Sequence, residues 1–163
     1  MNLKVHLSVC KVTDIDFESL LQKGKSVFLF DFDNTISFWK SSEIPKDIVQ
    51  LFELLKSRGA MIFIVSNGRS RKLNYEIPAI WRAMKPLTWK VKLKLRNFLR
   101  EKDKVVVVGD QLFTDVLFGN LLGAYTIKVE PLDLKREFLS TKILRFFERL
   151  VFGRVRKNSE KEH

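Results

Sequence analysis

The apolar positions of this chain fall into short unbroken runs separated by polar punctuation. Val27-Phe28-Leu29-Phe30 is wholly apolar and closely follows Gly24, the pattern of a strand buried on both faces in a parallel sheet. Met61 to Val65 repeats that pattern and stops at Ser66-Asn67-Gly68, a turn signal. Val105 to Val108 is the clearest strand and ends in Gly109-Asp110, and Tyr125 to Val129 is the last. Ile77 to Ala83 predicts a shorter strand, broken by Pro78. Between these runs the spacing becomes helical. One helix runs from Pro45 through Ile48, Val49, Leu51, Phe52, Leu54 and Leu55 to Gly59. A second runs from Thr88 to Arg100, with Val91, Leu95, Phe98 and Leu99 on its apolar face, and a third from Thr114 to Leu122. Strand and helix alternate, so the fold class is α/β with a mostly parallel sheet and right-handed crossovers.

Composition narrows this little. A hydrophobic content of 45% over 163 residues supports one folded domain and excludes a disordered chain. A single cysteine, Cys10, excludes a disulfide framework and a Cys-rich zinc module. No apolar run approaches the ~20 residues that span a bilayer. Met1 to Cys10 alternates polar and apolar residues, unlike the unbroken apolar stretch of a signal peptide. The expectation is a soluble, cytoplasmic protein.

Charge changes the picture more. The net charge is +11, and residues 69–104 alone carry +9, residues 105–134 carry −3 and residues 135–163 carry +5. Two basic blocks flank an acidic one. Such a field concentrates anionic partners: phosphorylated metabolites, nucleic acid or an anionic membrane face.

In open parallel sheets, ligands bind outside the carboxyl ends of the strands, and the polar residues fall there. The first strand runs into Asp31-Phe32-Asp33-Asn34-Thr35, the second into Ser66-Asn67, and the fourth into Gly109-Asp110-Gln111 with Asp115 close behind; Lys85-Pro86 follows the third. Asp31 and Asp33 are two apart, so on an extended backbone they face one side. Adjacent carboxylates repel unless a cation lies between them or one holds a proton. Asp110 adds another oxygen from a second strand, and an all-oxygen cluster suits a hard cation such as Mg²⁺. Alone, Asp-x-Asp is as compatible with a capping turn as with a metal site. His6 and His163 have no partner pattern and receive no role.

These four segments, in this order, resemble the motifs of the haloacid dehalogenase (HAD) superfamily of aspartate-nucleophile phosphatases. Asp33-Asn34-Thr35, Ala83-Met84-Lys85-Pro86 and the run from Gly109 through Gly119-Asn120 to Thr126 are similar to its YqeG-like subclass IIIA branch, which includes phosphatidylglycerophosphate phosphatases. The resemblance covers roughly residues 5–150 and implies a three-layer, Rossmann-like core. It implies that Asp31 attacks phosphorus to give an aspartyl-phosphate, and that Asp33 protonates the leaving alcohol and then deprotonates water. Ser66, Asn67, Thr35 and Lys85 would contact the phosphoryl group. Asp31, the backbone carbonyl of Asp33, Asp110 and Asp115 would hold Mg²⁺. Gly68, where Asn is more usual, and the short stretch from Arg69 to Ile80 depart from the pattern.

About ten residues separate Thr35 from the helix near Pro45, and 18 lie between Ser66 and Lys85, too few for an inserted cap domain. An open site favours phosphate carried on something large. Phe38 and Trp39, in the short flap, are either core anchors or an apolar rim. The expected organisation is a capless core over residues 1–133, a basic amphipathic helix over 134–157 and a frayed tail over 158–163. That helix carries Phe138, Leu139, Ile143, Leu144, Phe146 and Phe147 among many Lys and Arg residues, a pattern of either a membrane-surface helix or a docked terminal helix. The favoured substrate is phosphatidylglycerophosphate, an anionic phospholipid head group, with peripheral contact at the inner face of the membrane. Phosphatases of protein, nucleic-acid ends or small soluble phosphates, and a catalytically idle anion-binding domain, stay open as alternatives. Nucleic acid is the less favoured partner, and the oligomeric state is open.

Overall fold

Val27–Phe30 becomes the centre of a sheet because all four side chains are buried and none must reach water. In the computed structural model, which describes residues 3–133, the strands are β1 (Leu7–Val9), β2 (Val27–Phe30), β3 (Met61–Val65), β4 (Ala79–Ile80), β5 (Val105–Gly109) and β6 (Tyr125–Val129). They form one all-parallel sheet in the order β1-β6-β5-β2-β3-β4. The helices are α1 (Phe17–Gln22), α2 (Lys46–Ser57), α3 (Trp89–Leu95) and α4 (Leu117–Leu122). The expected helix 134–157 and tail 158–163 lie outside the described residues.

The period of two in β2 divides the core between two faces. Phe28 and Phe30 pack with Phe17 and Leu20 of α1 and with Ile48, Phe52 and Leu55 of α2. Val27 and Leu29 pack with Val91 and Leu95 of α3 and with Phe118 and Leu122 of α4. Helices therefore cover both faces in a three-layer α/β arrangement. Burying one such Phe or Leu contributes about 1.5–3 kcal/mol. Among the described residues, no helix is long and apolar enough to cross a membrane.

The topology fixes where a ligand can bind. From β2 the chain crosses to β3 and β4 on one side, then returns to β5 on the other. In register, Phe30 pairs with Ile64 of β3 and Val108 of β5. The carboxyl ends of β2, β3 and β5 thus lie level, with the switch point between β2 and β5.

Three elements differ from the sequence pattern. The strand expected over Ile77–Ala83 contracts to Ala79–Ile80, since Arg82 and Met84 adopt positive φ (48° and 65°) and end the extended chain. The helix expected to reach Arg100 ends at Leu95. The N–H groups of Phe98 and Leu99 both close onto the Leu95 carbonyl, and the Phe98 ring meets Phe63 at 5.0 Å. The helix expected from Thr114 begins earlier, in a π-helical turn over Leu112–Val116 that places Val116 N–H 3.2 Å from the Gln111 carbonyl. β1 and α1 had no counterpart in the pattern. His6, without a role from sequence, supports the β1 edge: its Nδ1 accepts the Thr126 N–H at 3.0 Å.

Candidate active site

Asp31 directly follows β2, and its N–H still donates to the Val108 carbonyl at 2.9 Å. Its carboxylate is therefore held by the sheet rather than by a loose loop. Asp110 arrives one residue past β5, and Asp115 turns back onto the end of β5 from the π-helical turn. Gly109 makes that return possible, because a Cβ there would stand 2.3 Å from Asp115 Cγ. Carboxylate oxygens of Asp31, Asp110 and Asp115 consequently lie within 4.8 Å of one another.

Two groups hold these acids together. Lys85 Nζ donates to Asp31 Oδ1 at 2.7 Å and to Asp115 Oδ1 at 2.5 Å. Thr35 Oγ1 lies 3.1 Å from both Asp31 Oδ2 and Asp110 Oδ1. A hydroxyl has one proton to donate, so it cannot serve both carboxylates at once when both are ionised. Burial, then the Asp115 charge, pushes Asp31 up to about 6 despite Lys85. Burial, then Asp115 and Asp31, pushes Asp110 up to about 8. Burial alone would lower Lys85, but the Asp115 and Asp31 carboxylates outweigh it and raise the ammonium well above its ordinary value. Three carboxylates around one ammonium leave two negative charges uncompensated when all are ionised. That excess, in an all-oxygen cluster, matches one hard divalent cation. Asp31, Asp110 and Asp115 could hold it.

Lys85 is delivered by a loop clamped from its neighbour. Asn67 Oδ1 accepts the Lys85 N–H at 2.7 Å, and Asn67 Nδ2 donates to the Lys85 carbonyl at 2.9 Å. The Lys85–Pro86 bond is cis. Asn67, expected against the substrate phosphate, thus commits its amide to positioning Lys85. Ser66 is buried at the tip of β3, where its Oγ accepts the Gly68 N–H at 3.0 Å.

Asp33 departs from the expectation that it shares a side with Asp31. The strand stops at Phe30, the N–H groups of Thr35, Ile36 and Ser37 all turn onto the Phe32 carbonyl, and Asn34 adopts φ 64°. The Asp33 carboxylate lies outside the acidic triad and faces Arg71. Arg71 Nη1 donates to Asp33 Oδ1 at 2.9 Å and Nη2 to Oδ2 at 2.8 Å. The Lys40 N–H adds a bond to Oδ1 at 2.9 Å. Sequence reasoning missed Arg71. The only signal was its place at the start of the most basic segment, three residues beyond the Asp33-facing Gly68.

The family described as mitochondrial PGP phosphatase matches residues 80–131, from β4 through the Lys85 loop and the β5 acids to β6. A probable phosphatase, YqeG of Bacillus subtilis, is 32% identical over 145 residues, covering 86% of this chain and 84% of its own length. A chloroplastic and mitochondrial phosphatidylglycerophosphate phosphatase of Arabidopsis thaliana is 29% identical over 81% of this chain and 42% of its own. A mitochondrial phosphatidylglycerophosphatase of Saccharomyces cerevisiae is 34% identical over 63% of this chain and 65% of its own. The chain thus spans about two fifths and two thirds of these two longer relatives. No solved structure matches significantly. With the bacterial relative aligned along most of both chains, through every strand tip described above, the chain belongs to the YqeG-like phosphatases.

Proposed function

We propose that the chain is a phosphomonoesterase of the haloacid dehalogenase type that converts phosphatidylglycerophosphate to phosphatidylglycerol. The observation that carries the reading is Asp31. It is a carboxylate fixed at the switch point of the sheet, paired with a buried ammonium and flanked by two further acids, while Asp33 stands apart from that cluster.

The roles follow from these positions. Asp31 attacks phosphorus in line, forming an acyl-phosphate O–P bond as the ester P–O bond breaks. Asp33 gives its proton to the departing oxygen, then takes one from the water that hydrolyses the intermediate, so phosphate leaves and both acids return to their starting states. Lys85 neutralises charge on the nucleophile and the phosphoryl oxygens, and Ser66 Oγ and Thr35 offer hydrogen bonds to the same group. Mg²⁺ held by Asp31, Asp110 and Asp115, with the Asp33 carbonyl, would offset the repulsion between an anionic nucleophile and an anionic phosphate.

Among the described residues no cap is inserted at the site: the flap from Asp31 to Pro45 holds no helix, and neither does the segment from Ser66 to Ile80. Exposed apolar side chains stand on the segments that follow three strand tips, among them Phe38 (60% exposed), Met84, Leu87, Trp89 (57%), Leu112 and Phe113. Phe38 is thereby part of a rim rather than a core anchor. That rim, with the basic segment 69–104, supports peripheral contact with an anionic bilayer at the cytoplasmic face.

The test is phosphate release by the full chain from phosphatidylglycerophosphate in mixed micelles, with and without chelator. Mg²⁺-dependent turnover of this lipid in preference to soluble phosphomonoesters is expected. Turnover confined to soluble esters would move the substrate off the membrane. Turnover that survives chelation would remove the metal.

A further inference from the structure

Arg71 is built into the site more firmly than a surface arginine. Its guanidinium carbon stands 5.2 Å from the ring centres of both Phe32 and Trp81, which meet edge to face at 5.4 Å. Nη1 also donates to the Ser41 carbonyl at 2.8 Å. The side chains of Arg71 and Asp33 are each only 16% exposed. The rings and the carbonyl hold the guanidinium in place whether or not a carboxylate faces it. Their planar fork presents two parallel N–H donors, the geometry that fits a carboxylate or a phosphate equally well.

In this arrangement Asp33 is occupied. Both of its oxygens are forked by Arg71 and one also accepts the Lys40 N–H. An acid/base that must meet the departing oxygen has to leave this fork at least partly. Arg71 then needs another anion, because an arginine stripped of its partner in a half-dry site is costly. The group nearest to hand is whatever the leaving alcohol carries, since Asp33 faces that alcohol. Arg71 further lines an open groove of about 340 Å³ with Leu73, Asn74, Tyr75, Glu76, Ile77 and Trp81, a mixed polar and apolar path that gives the rest of a substrate room away from the fork.

We propose that Arg71 is the recognition site for a second phosphate, a phosphodiester on the leaving-group side, and that this diester replaces Asp33 in the guanidinium fork and so frees the acid. The inference rests on the proposed reaction and deepens it: of the phosphorylated glycerolipids, it selects those whose leaving alcohol carries a phosphodiester. Arg71 would thus couple substrate choice to release of Asp33, whose freed carboxylate takes up a proton from water and hands it to the departing oxygen.

The experiment compares wild type and Arg71→Met on four compounds. Phosphatidylglycerophosphate and its deacylated form, glycerophosphoglycerophosphate, carry both a monoester and a diester. Phosphatidic acid and glycerol 3-phosphate carry the monoester alone. The loss of kcat/KM should be roughly ten- to a hundredfold greater for the two diester compounds, lipid or soluble, in line with charge-assisted hydrogen bonds of ordinary strength. Equal loss on all four would make Arg71 a positioning residue for Asp33 only. Loss confined to the two lipids would make it a membrane contact. Either result overturns the proposal. A second measurement does not depend on turnover and so separates this proposal from the assigned reaction. Calorimetric binding of glycerophosphoglycerol, a diester with no monoester, should be tighter to Asp33→Asn than to wild type and should vanish in Asp33→Asn/Arg71→Met. Binding unaffected by either change, or absent from all, would overturn it even if every substrate were hydrolysed as expected.

Discussion

Two acids two residues apart, Asp31 and Asp33, are each paired with a cation, and the two halves of the site they head are built differently. On one side Lys85, 3% exposed, sits between Asp31 and Asp115 and is pinned through its main chain by Asn67. On the other, Arg71 forks a single carboxylate at a place that water still reaches. The ammonium is a point charge suited to several oxygens at once, whereas the guanidinium matches one planar anion at a time. The Lys85 side is therefore permanent electrostatic machinery, short of two positive charges. The Arg71 side is a matched pair that can exchange partners. On the proposed reaction, one Asp-x-Asp motif would supply both a fixed nucleophile and a movable proton carrier.

The largest effects should separate the two sides in turnover. Asp31→Asn keeps shape but removes the nucleophile, so phosphate release should fall by on the order of a thousandfold or more, with the fold intact by circular dichroism. Asp33→Asn should fall by roughly a hundredfold or more, and most for esters with poor leaving groups, whose departure needs the proton. If leaving-group quality made no difference to Asp33→Asn, the contrast in roles would collapse. In stability the ranking should follow burial. Lys85→Met leaves Asp31 and Asp115 buried beside each other without their cation and should cost about 3–5 kcal/mol by urea denaturation. Arg71→Met should cost clearly less, because Asp33 can hydrate.

How much of this was legible in the sequence divides along the same line. β2, β3 and β5 stood out because strands buried on both faces carry no polar interruption, and their tips named Asp31, Ser66, Asp110 and Asp115 directly. β1 escaped because an edge strand of three residues, Leu7–Val9, leaves too short a pattern, and its support, Thr126 bonded to His6 and Asn120 to Lys4, comes from over a hundred residues away in sequence. The Asp33–Arg71 fork escaped for a different reason. It depends on the chain turning at Phe32 and on a loop without regular structure, where periodicity carries no information. The same turn defeated the inference that residues two apart face one side, which holds only while the backbone stays extended.

The charge deficit around Lys85 should appear as a pH dependence. Asp31 and Asp110 have folded values of about 6 and about 8 against a reference of 3.8. Between these limits the folded protein binds more protons than the unfolded chain, so the stability of metal-free protein must fall as pH rises through that window. Melting temperatures in chelator should accordingly decline from pH 5 to pH 8, and Mg²⁺ should raise them more at pH 8 than at pH 5. Asp110→Asn removes the most strongly shifted acid. It should flatten the decline and shrink the Mg²⁺ effect, while Arg71→Met should leave both unchanged. A flat profile in wild type would mean that the triad is compensated by something other than a cation.

The smallest effects come from one substitution made on each side. Gly109→Ala would place a methyl 2.3–2.4 Å from Cγ, Cβ and Oδ2 of Asp115, a buried side chain held at both oxygens by Lys85 and the Gln111 N–H. Overpacking at so fixed a place should cost about 1–3 kcal/mol and displace a member of the triad, lowering the Mg²⁺-induced rise in melting temperature. Gly68→Ala would place its methyl 2.7 Å from Arg71 Nη2 and 2.8 Å from Asp33 Oδ2; the rings and the Ser41 carbonyl hold Arg71, and Asp33 is the partner that can draw back. Its melting temperature should barely move and its Mg²⁺ response should persist. Turnover should fall modestly, most for substrates that need the Asp33 proton. Should Gly68→Ala destabilise the protein as much as Gly109→Ala, the fork would be as rigid as the triad, and the distinction between a fixed half and an exchangeable half would be lost.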